Sequence, residues 1–324
     1  MSEFKLPSFD DLPLRKDGPP GNAWGLFGDK DQMGRLNLIT PATRKAAATE
    51  IKEGISVSLD WPLDKPKYPN FERQVFKHTI LSLGPKGLVG NDDHLDMNTQ
   101  SSTQWDGFRH YAYQKEAKFY NGNSQEDFEN NENLGINVWT ENGGIVGRGV
   151  LLDWLDWAQR NNIHRDPFQT NAVELKDIKA IIAEQNITIK QGDILFIRVG
   201  FSAKYNTLSA SEQVAFPDRQ PKGLLGVEAT KDSLRWIWES GISAIASDSP
   251  SLERGPQQGP YNEPGVTIHQ WALAGWGLPL GEMFDLERLS EECKRLKRYS
   301  FFVTSVPLKV PGGIASPPNA IAIF

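Results

Sequence analysis

The chain has 324 residues, 39% of them hydrophobic and 23% charged, a composition that suits a globular body rather than a disordered or fibrous one. Its 35 Lys and Arg against 41 Asp and Glu leave a net charge of −6, and no basic stripe interleaves with aromatics, which excludes nucleic acid and anionic membrane surfaces as partners. A single cysteine excludes an internal disulfide or a cysteine-rich metal site and fits a reducing, cytoplasmic setting. The start of the chain reads as no signal peptide, and no apolar run is long enough to span a bilayer.

Residues 1–23, with Pro7, Pro13, Pro19 and Pro20, read as an extended arm that drapes over a body or a partner subunit. Residues 24–324 then read as one domain. Thr40 as N-cap and Pro41 at the first helical position predict a helix stopping by Gly54. Alternation predicts strands over 55–59 and 75–83, and residues 91–94 look turn-like. Residues 121–133 are polar and predict a surface loop or flap. Gly143 to Leu152 reads as a turn entering a buried strand. Helices are expected over 154–161 and 174–185, and 193–200 is the clearest buried strand. A helix over 227–239 feeds a second buried strand over 242–248. A Gly/Pro/Gln loop over 255–265 leads to His269 and on to Glu282. A charged helix over 285–298, with Cys293 on its apolar stripe, and a β tail close the chain. Helices alternate with strands throughout, so the fold class is α/β with a mixed sheet.

The stretch with most chemistry is Gln100-Ser-Ser-Thr-Gln-Trp-Asp-Gly-Phe-Arg-His110, which gathers amides, hydroxyls, a carboxylate, a guanidinium and an imidazole. Such polar runs rarely form core strands, because every buried polar atom needs a partner. Asp106 and His110 are candidates for acid–base work. Trp105 and Phe108 could pack an aromatic substrate and Arg109 could bind its carboxylate, although core packing and surface pairing explain such residues equally well. Glu282 stands in an apolar context where a lone carboxylate is costly unless partnered. Ser101 and Ser102 lie near His110 in sequence, but no G-x-S-x-G elbow exists to make either a nucleophile.

In this order, several segments resemble the putative cyclase superfamily, which includes kynurenine formamidase (arylformamidase) and isatin hydrolase. They are D-K-D-Q-M-G-R-L-N-L-I-T-P, the 100–110 stretch, G-R-G-V-L-L-D, K-Q-G-D-I-L-F-I-R-V-G, S-D-S-P-S-L-E, H-Q-W-A-L-A-G-W-G-L-P-L-G-E and P-P-N-A-I-A-I. The resemblance implies a swivelling β/β/α fold, assembly as homodimers or homotetramers, and hydrolysis of a small amide, lactam or lactone at a divalent metal.

Against the family's H-x-G-T-H-x-D-x-P-x-H, this chain keeps Asp106 and His110 but carries Gln100 and Gln104 at the two ligand histidines and Phe108 at the proline. The resemblance maps a further ligand pair onto His269 and Glu282. Two versions of the chemistry follow. In one, Asp106, His269 and Glu282, helped by Gln104, hold a hard ion such as Mg²⁺ or Mn²⁺, since amide oxygens suit zinc poorly. In the other the metal is gone and Gln100 and Gln104 bind the substrate carbonyl directly; His110 is then the general acid/base, oriented by Asp106 or Glu282. Ligand identity favours the second. A metal-independent cyclase or dehydratase, or an inactive binding relic, is the alternative to a hydrolase.

Overall fold

The computed structural model describes residues 4–257 and 261–324. Residues 1–3 of the expected arm and 258–260 of the Gly/Pro/Gln loop lie outside the described residues.

Apolar runs that read as buried strands pair into one nine-stranded mixed sheet. Its order is Ser56–Ser58, Ala320–Ile323, Ser300–Ser305, Ile145–Asp153, Ile194–Arg198, Ala244–Ser247, Leu280–Glu282, Gln104–Asp106 and Ala315–Ser316. The four central strands from 145–153 to 280–282 are mutually parallel, and the flanking pairs are antiparallel. Ile194–Arg198 and Ala244–Ser247 are buried at every position, as strands covered on both faces should be. Helices Trp154–Arg160, Leu175–Glu184 and Glu287–Leu296 fall where their periodicity predicts, and Cys293 is fully buried. The helix Pro41–Ala47 is capped by Thr40, whose hydroxyl accepts from the Thr43 amide at 3.2 Å. No helix among the described residues is long and apolar enough to cross a membrane.

Three local expectations change. Residues 91–94 belong to a strand, Asn91–Asp96, which pairs with Lys77–Ser82 in an exposed hairpin; nothing there is buried, so its polar residues need no core partner. The helix expected from 227 starts at Lys231, because Gly226–Val227 is drawn into a short parallel pair with Ala172–Val173. The polar run that looked unfit for a core strand supplies Gln104–Asp106, buried at all three positions. The arm lies on the chain's own body. Trp238 donates to the Pro7 carbonyl at 2.8 Å, Trp276 to that of Gly21 at 2.9 Å, and Phe9 stacks on Trp271 at 5.9 Å.

Candidate active site

Strand alternation builds the floor of the site. Gln104 and Asp106 are two apart and share one face of their strand, while the register sets Glu282 directly opposite Gln104 on the neighbouring strand. The Gln104 amide donates to Glu282 Oε2 at 2.8 Å and lies 3.4 Å from Asp106 Oδ1. Trp105, between them, takes the opposite face, packing on Phe284 at 5.0 Å and donating to Ser305 Oγ at 2.9 Å. It is a core residue, away from the cavity.

A turn after this strand sorts the next side chains. Phe108 is fully buried against Tyr120 and Trp139. Arg109 turns away, donating to the carbonyls of Asn131 at 2.8 Å and Gly312 at 3.1 Å, with its guanidinium 4.4 Å above the Phe128 ring. Neither residue lines the cavity, so a substrate-binding part for Trp105, Phe108 or Arg109 has no geometric support. His110 does reach it. Gln100 donates to Asp106 Oδ1 at 2.7 Å and contacts His110 Nδ1 at 3.0 Å. An ionised carboxylate only accepts, so the Gln100 amide presents hydrogens to both groups. His110 Nδ1 is therefore an acceptor, and the neutral ring carries its proton on Nε2. Burial lowers the pKa of His110, and the Asp106 charge opposes this only in part.

His269 comes from the other side, immediately before a π-helical segment, Gln270–Trp276. Its Nδ1 lies 2.7 Å from Glu253 Oε1 and its Nε2 lies 3.2 Å from Glu282 Oε1. The Gln257 amide is also 2.9 Å from Nδ1, but the Glu253 carboxylate decides where that proton points. Burial alone would lower the His269 pKa; hydrogen bonds to Glu253 and Glu282 outweigh it and hold it up at about 10. Burial, reinforced by the Asp106 charge, raises Glu282 to about 7. The rings of His110 and His269 are 6.1 Å apart. His110, His269 and Glu282 line a cavity of about 400 Å³, with Gln104, Asp106, Gln100 and Glu253 behind them.

Sequence reasoning missed Glu253. Its carboxylate accepts from the backbone N–H of Ile268 at 2.7 Å and of His269 at 3.0 Å while holding the His269 ring. The only signal was its place at the end of S-D-S-P-S-L-E. Ser101 and Ser102 spend their hydroxyls on the carbonyls of Asn98 and Pro62. His78 pairs with Asp93 on the exposed hairpin, and His94 and His164 are exposed.

Asp106, His110 and His269 form a possible three-residue metal site, with one ligand atom from each lying within 4.8 Å of the others. Gln104 Oε1 and Asp106 Oδ2, both buried and without a partner among the described residues, are acceptors that a cation would satisfy. The ligand positions implied by the resemblance do not fit the family's ion as they are arranged. Gln100 and Gln104 turn N–H groups toward the carboxylates, and both nitrogens of His269 face carboxylates, so these three side chains offer an ion no nitrogen lone pair, and Gln104 Oε1 and Asp106 Oδ2 are left as the open acceptors.

Residues 46–254 match the family described as Putative cyclase. A solved structure of a novel cyclase is 30% identical, covering 94% of this chain and 99% of that one, with a TM-score of 0.81. Isatin hydrolase A from Ralstonia solanacearum is 17% identical over 88% of this chain and 98% of its own, with a TM-score of 0.60. Isatin hydrolase A from Labrenzia aggregata, bound to benzyl benzoate, is 16% identical over 85% and 94%, with a TM-score of 0.58. At those identities the likeness is one of fold. A search of curated proteins returns no match. On the family match and the first of these structures, the chain belongs to the Putative cyclase family.

Proposed function

We propose that this chain is a hydrolase that opens a C–N or C–O bond next to a carbonyl in a small cyclic or aromatic compound, without relying on a metal. The observation that carries the reading is that Glu282 and His110 both line the cavity, and each is held from behind by a glutamine amide.

Hydrolysis needs a base for water, a donor for the developing oxyanion, and a proton for the leaving group. Glu282, with its pKa raised to about 7, suits the first task, since a base works best when its pKa lies near the operating pH. It takes a proton from water as the water oxygen bonds to the carbonyl carbon. The Nε2–H of neutral His110 donates to the carbonyl oxygen as it becomes an oxyanion. Collapse of the tetrahedral intermediate breaks the bond to nitrogen or ring oxygen, which receives the proton from Glu282. His269 adds fixed positive charge beside the floor. In this reading His110 is an electrophilic donor rather than the general acid/base expected from sequence, because its proton is already on the cavity-facing nitrogen.

A panel of aryl formamides, lactams and lactones in ¹⁸O-labelled water tests it. The expected result is turnover with one labelled oxygen in the acid product. Turnover without label supports an eliminative or cyclising step instead, and no turnover on any member overturns the reading.

A further inference from the structure

We propose that the cavity is built for an anionic ligand, a small aromatic or cyclic carboxylate whose acid group lies against Arg73 and Lys222. The inference deepens the hydrolase reading of this site and rests on it for the identification of such a carboxylate as substrate.

The charged lining of the cavity comprises Arg73, Lys222, the two histidines and Glu282. Glu282 is already engaged by Gln104 and His269. Among the described residues no carboxylate lies within ion-pair distance of Arg73 or Lys222. Two cations outside any ion pair among the described residues, facing a lining whose carboxylate, Glu282, is taken by Gln104 and His269, run against the overall balance of a chain with a net charge of −6. A cavity lined in this way concentrates anions.

Arg73 is held for the task. One of its nitrogens donates to the Gln100 carbonyl at 2.6 Å, and its guanidinium lies 5.1 Å from the Phe71 ring centroid. The Gln100 bond uses one N–H of five, and the planar group keeps donors suited to a carboxylate's two oxygens. Phe71 (φ 61°) and Glu72 (φ 56°), immediately before it, are successive non-glycine residues in the left-handed region. Such conformations persist only where the surroundings hold them, and they gather at ligand clamps. Beside Ser251 and Gln257, the remaining wall presents Phe71, Tyr111, Leu224 and Pro256, an apolar surface that suits a ring. Gln100 links the two ends of the site, since its carbonyl holds Arg73 and its amide holds His110.

Calorimetric titration with benzoate and its neutral isostere benzamide, at low ionic strength, tests the inference without requiring turnover. Benzoate is expected to bind about tenfold more tightly, with the preference shrinking in salt. In the double variant Arg73→Met/Lys222→Met the preference is expected to vanish, while Arg73→Lys keeps most of it. If the double variant fails to fold, Lys222→Met alone decides, because Lys222 is exposed; it should lose about threefold of the preference. Equal binding of the two ligands, no benzoate binding at millimolar concentration, or a preference that survives these variants would overturn the inference. The hydrolase reading fails separately, by absence of turnover on the panel while benzoate still binds.

Discussion

The carboxylate of Glu253 lies 2.7 Å from Nδ1 of His269 and also accepts from the backbone N–H groups of Ile268 and His269. One buried side chain thus satisfies the entry to a helical segment and fixes the ring that faces Glu282. Glu253→Ala should leave three donors unpaired and cost about 3 kcal/mol of stability. Glu253→Gln should fold better, yet lower kcat by about tenfold with little change in KM, as the His269 pKa falls. Denaturant melts, steady-state kinetics and an NMR titration of His269 check this, and an unmoved His269 titration would remove the positioning role.

The catalytic pair separates by kinetics. His110→Gln should reduce kcat by about 10²–10³ by removing the donor to the oxyanion. Glu282→Gln should reduce it by about 10²–10⁴ by removing the base. Both variants should retain benzoate binding, so calorimetry on the same samples distinguishes lost chemistry from lost structure.

Stability should fall as pH rises above about 7. His269 has a folded pKa of about 10 against an ordinary 6.5, so its stabilisation is complete below about pH 6.5 and disappears as pH climbs through about 10. Glu282, raised from 4.5 to about 7 by burial, acts in the same direction between about pH 4.5 and pH 7. Thermal melts between pH 7 and pH 10, above the range in which the lowered His110 pKa acts in the opposite sense, should show Tm decreasing, with a flatter upper limb in His269→Gln. An upper limb as steep in that variant as in the parent would assign the loss to other groups.

Metal dependence has a direct test. Protein purified without chelator or affinity-tag metal should carry well under one equivalent of Mn, Mg or Zn and stay active in EDTA. The double variant Gln100→His/Gln104→His should acquire about one equivalent of zinc, because imidazole supplies the lone pairs that the amide N–H groups lack. Stoichiometric metal in the parent protein, with activity lost to EDTA, would return it to metal-assisted chemistry.

Arg109 should behave as a structural tie. Its guanidinium joins the 131–133 loop to Gly312, so Arg109→Met should cost about 1–3 kcal/mol and leave KM for an acidic substrate unchanged. A raised KM without loss of stability would restore it to the binding site.

Periodicity, caps and apolar runs determined most of this molecule locally. Helix 41–47 under Thr40, the buried strands 194–198 and 244–247 and the apolar stripe that buries Cys293 follow from side-chain pattern alone, because burial depends on spacings of 2 and 3.6 residues. The motif order from 100 to 110 also marked the residues that carry the site's floor. Tertiary structure decided what those residues do. Trp105 faces the core because it alternates with Gln104 and Asp106 in a strand, and the buried Gln104 amide is satisfied because Glu282 arrives opposite to accept from it. Glu253 became a partner of His269 through a contact that no local pattern encodes. The polar run at 100–106 could be buried because its partners come from elsewhere in the chain, and hydrogen-bond partners distant in sequence are set by the fold.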